Sequence, residues 1–122
     1  MLPNESTLIS PLDLRVSYDG DSVVVSPAGE ICISSAPLLR EALDAGRETG
    51  ARRVVVDLAD VTLLTAAGLS VLAIAARRLD QDGRTLACRN ATGLAARTLR
   101  VTGLGDLLEH AATGLADMAI AG

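Results

Sequence analysis

A chain of 122 residues has room for one domain with an ordinary core, not for two independent ones. Apolar residues make up 49% of it but aromatics 1%, Tyr18 alone with no Phe or Trp, so the core must be packed from Val, Leu, Ile and Ala. A net charge of -4 and the lack of aromatic stacking platforms argue against nucleic-acid binding.

Taken in chain order, residues 1–10, "MLPNESTLIS", are polar and Pro-containing and are expected to form a flexible arm ahead of a single domain at 11–122. They show neither a charged leader nor an apolar core region, so no targeting segment is expected. "LDLRVSYDGDSVVVSPAGE" reads as a hairpin: Leu12, Leu14 and Val16 alternate with polar residues, Asp19-Gly20 supplies the turn, and Val23 to Val25 begin the return strand. Pro27 places the end of that strand at an edge or an exit.

"SSAPLLREALDAGRETG" predicts an amphipathic helix with Ser35 as N-cap, Pro37 in the first turn and Gly50 as a stop. Leu39, Ala42, Leu43 and Gly46 share its apolar face. The β-branched run Val54, Val55, Val56 is a central strand buried on both faces. A second helix runs from 65 to 82, capped by Thr65 and stopped by Gly83. At about 100° per residue it buries Leu72, Ala75, Ala76 and Leu79 and turns Ser70, Ile74 and Arg77 outward.

"TLACR" is a further strand, "NATGLAARTLRVTG" a third helix, "DLLEH" a short last strand or extended link, and "TGLADMAIAG" a terminal helix. The order β-β-α-β-α-β-α-(β)-α predicts an α/β fold: a mixed sheet opened by an antiparallel hairpin, with later strands parallel and joined by right-handed crossovers. The longest apolar stretch, "VTLLTAAGLSVLAIAA", is too short for a membrane span and is followed by Arg77 and Arg78, so no membrane insertion is expected. Cys32 and Cys88 should lie two strands apart, beyond bridging distance, as free thiols in a cytoplasmic protein.

Ligands of such sheets gather at the C-terminal strand ends, here "AGEIC", "DLADVTLLTAAG" and "CRNATG". The lone His110 sits far from all three, which argues against Ser-His or Cys-His catalysis. Asp57 and Asp60 flank a turn, as capping residues or, less favoured, as an acidic pair. No phosphate-binding glycine loop and no metal-ligand cluster is present, so neither enzyme activity nor a cofactor or metal is expected. What remains is a helix start made of Ala66, Ala67 and Gly68, small enough for tight packing on the sheet or for close approach by an anion or a partner surface.

Three segments give the chain a wider likeness: "GEICISSAPLLREAL" at 29–43, "VVVDLADVTLLTAAGLSVL" at 54–72 and "TGLGDLLE" at 102–109. Together they resemble the STAS family, the domain of bacterial anti-sigma factor antagonists, from about Leu12 to Ile120. The resemblance implies a cytoplasmic protein that binds an anti-sigma factor, a serine kinase of histidine-kinase-like ATPase fold, and so releases a sigma factor. It also implies a switch, phosphorylation of the first serine of an Asp-Ser-Ser-Gly motif, which brings about -1.5 to -2 charges into a tight interface.

This chain departs from that motif: Thr65-Ala66-Ala67-Gly68 stands in its place, with Ala66 at the acceptor serine, and Cys32 stands where the family has a loop aspartate. Thr65 keeps a hydroxyl that serves either as a helix cap or as a displaced phosphoacceptor, with Ser34, Ser35 and Thr62 as weaker candidates. The expected partner-binding residues are Glu30, Cys32, Ser34, Thr62, Leu64, Thr65, Ala66, Ala67, Gly68, Ser70, Ile74 and Arg77. Two other functions stay open: an accessory STAS subunit of a lipid-transporting ABC system, and a small-ligand sensing module using the cleft around Cys32 and Thr65.

Overall fold

The computed structural model describes residues 12–109; the expected N-terminal arm, His110 and the terminal helix lie outside the described residues. The chain runs β1 (Leu12–Asp19), β2 (Ser22–Ile31), α1 (Ala36–Glu48), β3 (Arg53–Asp57), β4 (Asp60–Leu64), α2 (Ala66–Gln81), β5 (Thr85–Arg89), α3 (Gly93–Val101), a 3-10 turn (Gly105–Leu107) and β6 (Leu108–Glu109). The sheet order is β1-β2-β3-β5-β6; β1 pairs antiparallel with β2, and the other pairings are parallel. Each crossover steps the same way across the sheet, so right-handedness puts all three helices on one face. Val23, Val25, Val54, Val56, Leu86 and Cys88 meet Leu39, Leu43, Leu72, Leu79 and Leu99 there in one aliphatic core.

Two expectations are corrected by the course of β2. Pro27 marks neither an edge nor an exit, since β2 runs on through it to Ile31 with neighbours on both sides, and β4, read from the sequence only as the end of the valine strand, is a strand of its own. The first half of β2 pairs with β3, up to Val25 opposite Val56; its second half pairs with β4, from Ala28 opposite Asp60. Pro27 is fully buried at the changeover, where no neighbour requires the N–H that proline lacks. Alternation hid β4 because its burial is shallow: Asp60, Thr62 and Leu63 are exposed, Val61 and Leu64 half-buried.

Helix ends depart from the expected capping. Ser35 and Thr65 hold the N-cap positions of α1 and α2, but neither side chain bonds a helix N–H. Gly50 and Gly83 stop α1 and α2 as expected, with φ of +81° and +74°, where L side chains are strained.

The N-terminal pole of the parallel strands is closed by Arg84. Its Nε donates to the Ala51 carbonyl and its Nη2 to the Arg47 carbonyl, each at 2.6 Å, while Asp82 accepts from Arg47 Nε at 2.8 Å. One guanidinium thus ties the end of α1 to the entry of β3. Arg84→Ala should cost about 1–3 kcal/mol in urea unfolding, because carbonyls that accept from a charged donor lose it. Arg84→Lys should recover only part of this, since an ammonium cannot match the planar fork.

Candidate functional site

At the opposite pole, the C-terminal strand ends carry the residues singled out in the sequence. Thr65 crosses from β4 to the end of β2: its N–H and its Oγ1 both donate to the Ile31 carbonyl, at 3.0 and 2.9 Å. The hydroxyl is therefore a tether between strands rather than the expected helix cap. It fixes the start of α2 beside the loop that follows β2.

Behind Thr65, Ala66 is exposed, Ala67 half-buried and Gly68 buried. Gly68 has no substitute: a Cβ there would overlap the Ile31 side chain and come within 2.9 Å of Leu64 Cδ1. The small residues thus have two separate uses, Gly68 to seat the helix on the sheet and Ala66 to leave its start bare.

The loop after β2 is held by Ser35, which is fully buried. Its Oγ donates to the Glu30 carbonyl at 2.6 Å and accepts from the Cys32 N–H at 2.9 Å. Cys32, half-buried, has Ser34 Oγ 3.2 Å from its sulfur and Ser35 Oγ 3.6 Å away. The Ser34 hydroxyl, with lesser help from Ser35 and the backbone N–H groups of both serines, lowers the Cys32 thiol to about 7. Burial instead pushes Cys88 up to about 12. Both cysteines are free, as expected.

Iodoacetamide should therefore alkylate Cys32 with a rate that climbs through pH 7 as the thiolate forms, and should reach Cys88 only on unfolding. Ser34→Ala should move the Cys32 profile to higher pH. A profile unmoved by that change would take Ser34 out of the thiolate's stabilisation.

Register accounts for two further site residues. Gly29 pairs with Val61 and Glu30 with Leu63, so Thr62 is the extra residue of a bulge and is exposed. Leu63 is turned out beside α3, where Val61, Leu63, Leu94 and Ala95 line a cleft of about 270 Å³. Asp57 stabilises the preceding turn: it accepts from Ala59 N at 3.0 Å and from Asn90 Nδ2 at 3.1 Å, the capping reading of that residue.

Not every expected residue joins this pole. Ser70 and Ile74 lie farther along α2, lining with Arg40, Val71 and Arg78 a cleft of about 130 Å³ between α1 and α2. Arg77 is exposed but outside that cleft. Leu72 and Leu79 are buried and Ile74 is 45% exposed, so the expected helical phase holds. Sequence reasoning missed the apolar residues exposed at the pole, Ile33 at 82%, Leu94 at 70% and Leu63. Ile33, apolar in a loop between Cys32 and Ser34, was the available signal.

A family model described as "Mlab, STAS domain" matches residues 14–109. The chain belongs to the STAS domain family. Among curated STAS relatives, the anti-sigma-B factor antagonist of Bacillus subtilis (strain 168) is 31% identical over 101 residues, covering 83% of this chain and 92% of the relative. An anti-sigma factor antagonist from Mycobacterium paratuberculosis superposes with a TM-score of 0.73 at 29% identity, over 84% of this chain and 89% of that one. The anti-sigma factor antagonist SpoIIAA in its unphosphorylated form shares the STAS fold at a TM-score of 0.72 and 14% identity, over 88% and 96% of the two chains. Among the described residues of this STAS domain, no helix is long and apolar enough to cross a membrane.

Proposed function

We propose that this STAS protein is a cytoplasmic, non-enzymatic anti-sigma factor antagonist whose partner is an anti-sigma factor of histidine-kinase-like ATPase fold, and that it lacks the serine switch. The observation that carries the reading is the bare start of α2. Ala66 is exposed without a hydroxyl, and the neighbouring Thr65 hydroxyl is committed to the Ile31 carbonyl. Around it Ile33, Leu63 and Leu94 supply an apolar rim suited to a protein partner. The similarity to the B. subtilis antagonist supports the partner class.

Incubated with its anti-sigma factor and ATP, the wild-type protein should stay unmodified and bound. Stoichiometric phosphate on Thr65 with release of the partner would overturn this, because the switch would then have moved by one residue. Ile74→Asp should weaken binding about tenfold while changing stability by less than about 1 kcal/mol, since Ile74 is exposed. Parallel losses in a pull-down and a thermal melt would instead make Ile74 a core residue.

A second reading, accessory subunit of a lipid-transporting ABC system, is favoured by one observation: the matching family model carries the description Mlab. Affinity recovery from native cells separates the two, yielding a kinase-fold anti-sigma factor in one case and an ABC ATPase with its permease in the other.

A further inference from the structure

The sheet ends on β1, and from Leu14 to Tyr18 the outer side of that strand pairs with no other strand among the described residues. Natural edge strands are usually blunted by proline, bulges or brevity, yet β1 runs for eight residues with no proline and an unbroken register. The two-residue turn makes Asp19 and Ser22 the first hydrogen-bonded pair, so Leu14, Val16 and Tyr18 direct their N–H and C=O groups outward. On the face that bears these side chains, Val16 is 49% and Tyr18, the one aromatic of the chain, 70% exposed. On the other face Arg15 and Asp19 are exposed, and neither makes an ion pair among the described residues.

We propose that β1 is a self-association edge, on which two copies of this chain pair antiparallel about a two-fold axis through Ser17. In that register Val16 lies opposite Tyr18 of the second copy, and Tyr18 opposite Val16, covering the exposed apolar residues of both. These are the pairs that exchange backbone hydrogen bonds through the outward groups. Arg15 faces Asp19 of the second copy, and Asp19 faces Arg15, at positions where side chains stand closest. Each charge that lacks an ion-pair partner among the described residues gains one across the axis.

Neighbouring registers fail on the same residues. An axis through Val16 sets Asp13 against Asp19, one through Arg15 sets arginine against arginine, and one through Leu14 leaves Tyr18 outside the described strand. Because a closed two-fold uses each edge once, pairing stops at a dimer. The axis residue Ser17 pairs with Val24, seven residues along β2 from Ile31, so the poles proposed for partner binding lie away from the axis and the dimer would be bivalent.

Sedimentation of the full-length chain over a concentration series should show reversible doubling of mass. Arg15→Asp and Asp19→Arg should each weaken self-association at least about tenfold, and the double exchange R15D/D19R should return it to within about threefold of wild type. Asp80→Arg, exposed on α2 and away from this edge, should leave it unchanged. In a Cys32→Ser background, Ser17→Cys should form a cross-linked dimer on mild oxidation, since the two Cα atoms would stand about 4.5 Å apart. Melting curves verify that each variant is folded, and if a charge variant is not, the Ser17→Cys arm decides. A wild type that stays monomeric at every concentration, a double exchange no better than its parents, or Ser17→Cys without cross-linking overturns the proposal.

Discussion

Gly68→Ala should destabilise the protein by about 1–3 kcal/mol, although a glycine-to-alanine change inside a helix ordinarily helps by about 1 kcal/mol. The sign reverses because the new methyl has no free space. It would overlap Ile31 and press on Leu64 Cδ1 at 2.9 Å, both on strands that the tether from Thr65 holds in place. For a domain of this size each kcal/mol corresponds to about 4–8 °C in Tm. Ser70→Ala, on the exposed side of the same helix, should be neutral or slightly stabilising and serves as the control. A Gly68→Ala variant that melts at or above wild type would mean that α2 can shift outward freely and that Gly68 is not what seats the helix on the sheet.

Ala66→Glu should separate binding from stability. A carboxylate at the first position of α2 interacts favourably with the helix dipole, by about 0.3–1 kcal/mol, so the fold should hold or gain slightly. At the interface the same carboxylate must be stripped of water without a matching cation, and affinity for the anti-sigma factor should fall by about 2 kcal/mol, roughly 30-fold. Titration calorimetry beside a thermal melt tests both halves. Unchanged affinity would place the docking face elsewhere and leave the bare helix start as a packing device.

Much of this arrangement was legible in the residues, and what was missed has physical causes. The valine run, the amphipathic helix with Leu39 and Leu43, and the phase of α2 could be read because each buries one continuous stripe, and burial is what periodicity reports. β4 could not, because a strand with its outer side open to solvent and a bulge at Thr62 breaks the alternation by which strands are recognised. Pro27 misled for a related reason. A rule about missing N–H groups assumes one neighbour along the whole strand, and β2 has two in succession.

The site residues divide in the same way. Small side chains in sequence located the start of α2 but could not separate Gly68, fixed by what it touches, from Ala66, open because it touches little. Nor could residue types place the Thr65 proton, since a hydroxyl beside a helix N-terminus and one beside a strand carbonyl have the same spelling. The choice was made by Ile31, 34 residues away along the chain.

The division of β2 between two neighbours has a bearing on motion as well as architecture. β3 lies within the sheet between β2 and β5 and carries the buried valines, whereas β4 rests on the last few residues of β2 with α3 alongside. Among the described residues β4 pairs with a strand on one side only, so an opening confined to β4 and the first turn of α2 would cost the Thr65 tether and the Gly68 seat but less than global unfolding. A partner seating on this pole would need the closed arrangement, and its affinity would then contain the closing equilibrium of a few residues. Substitutions at the Thr65–Ile31 junction can then adjust how often the surface is presented without altering the surface itself.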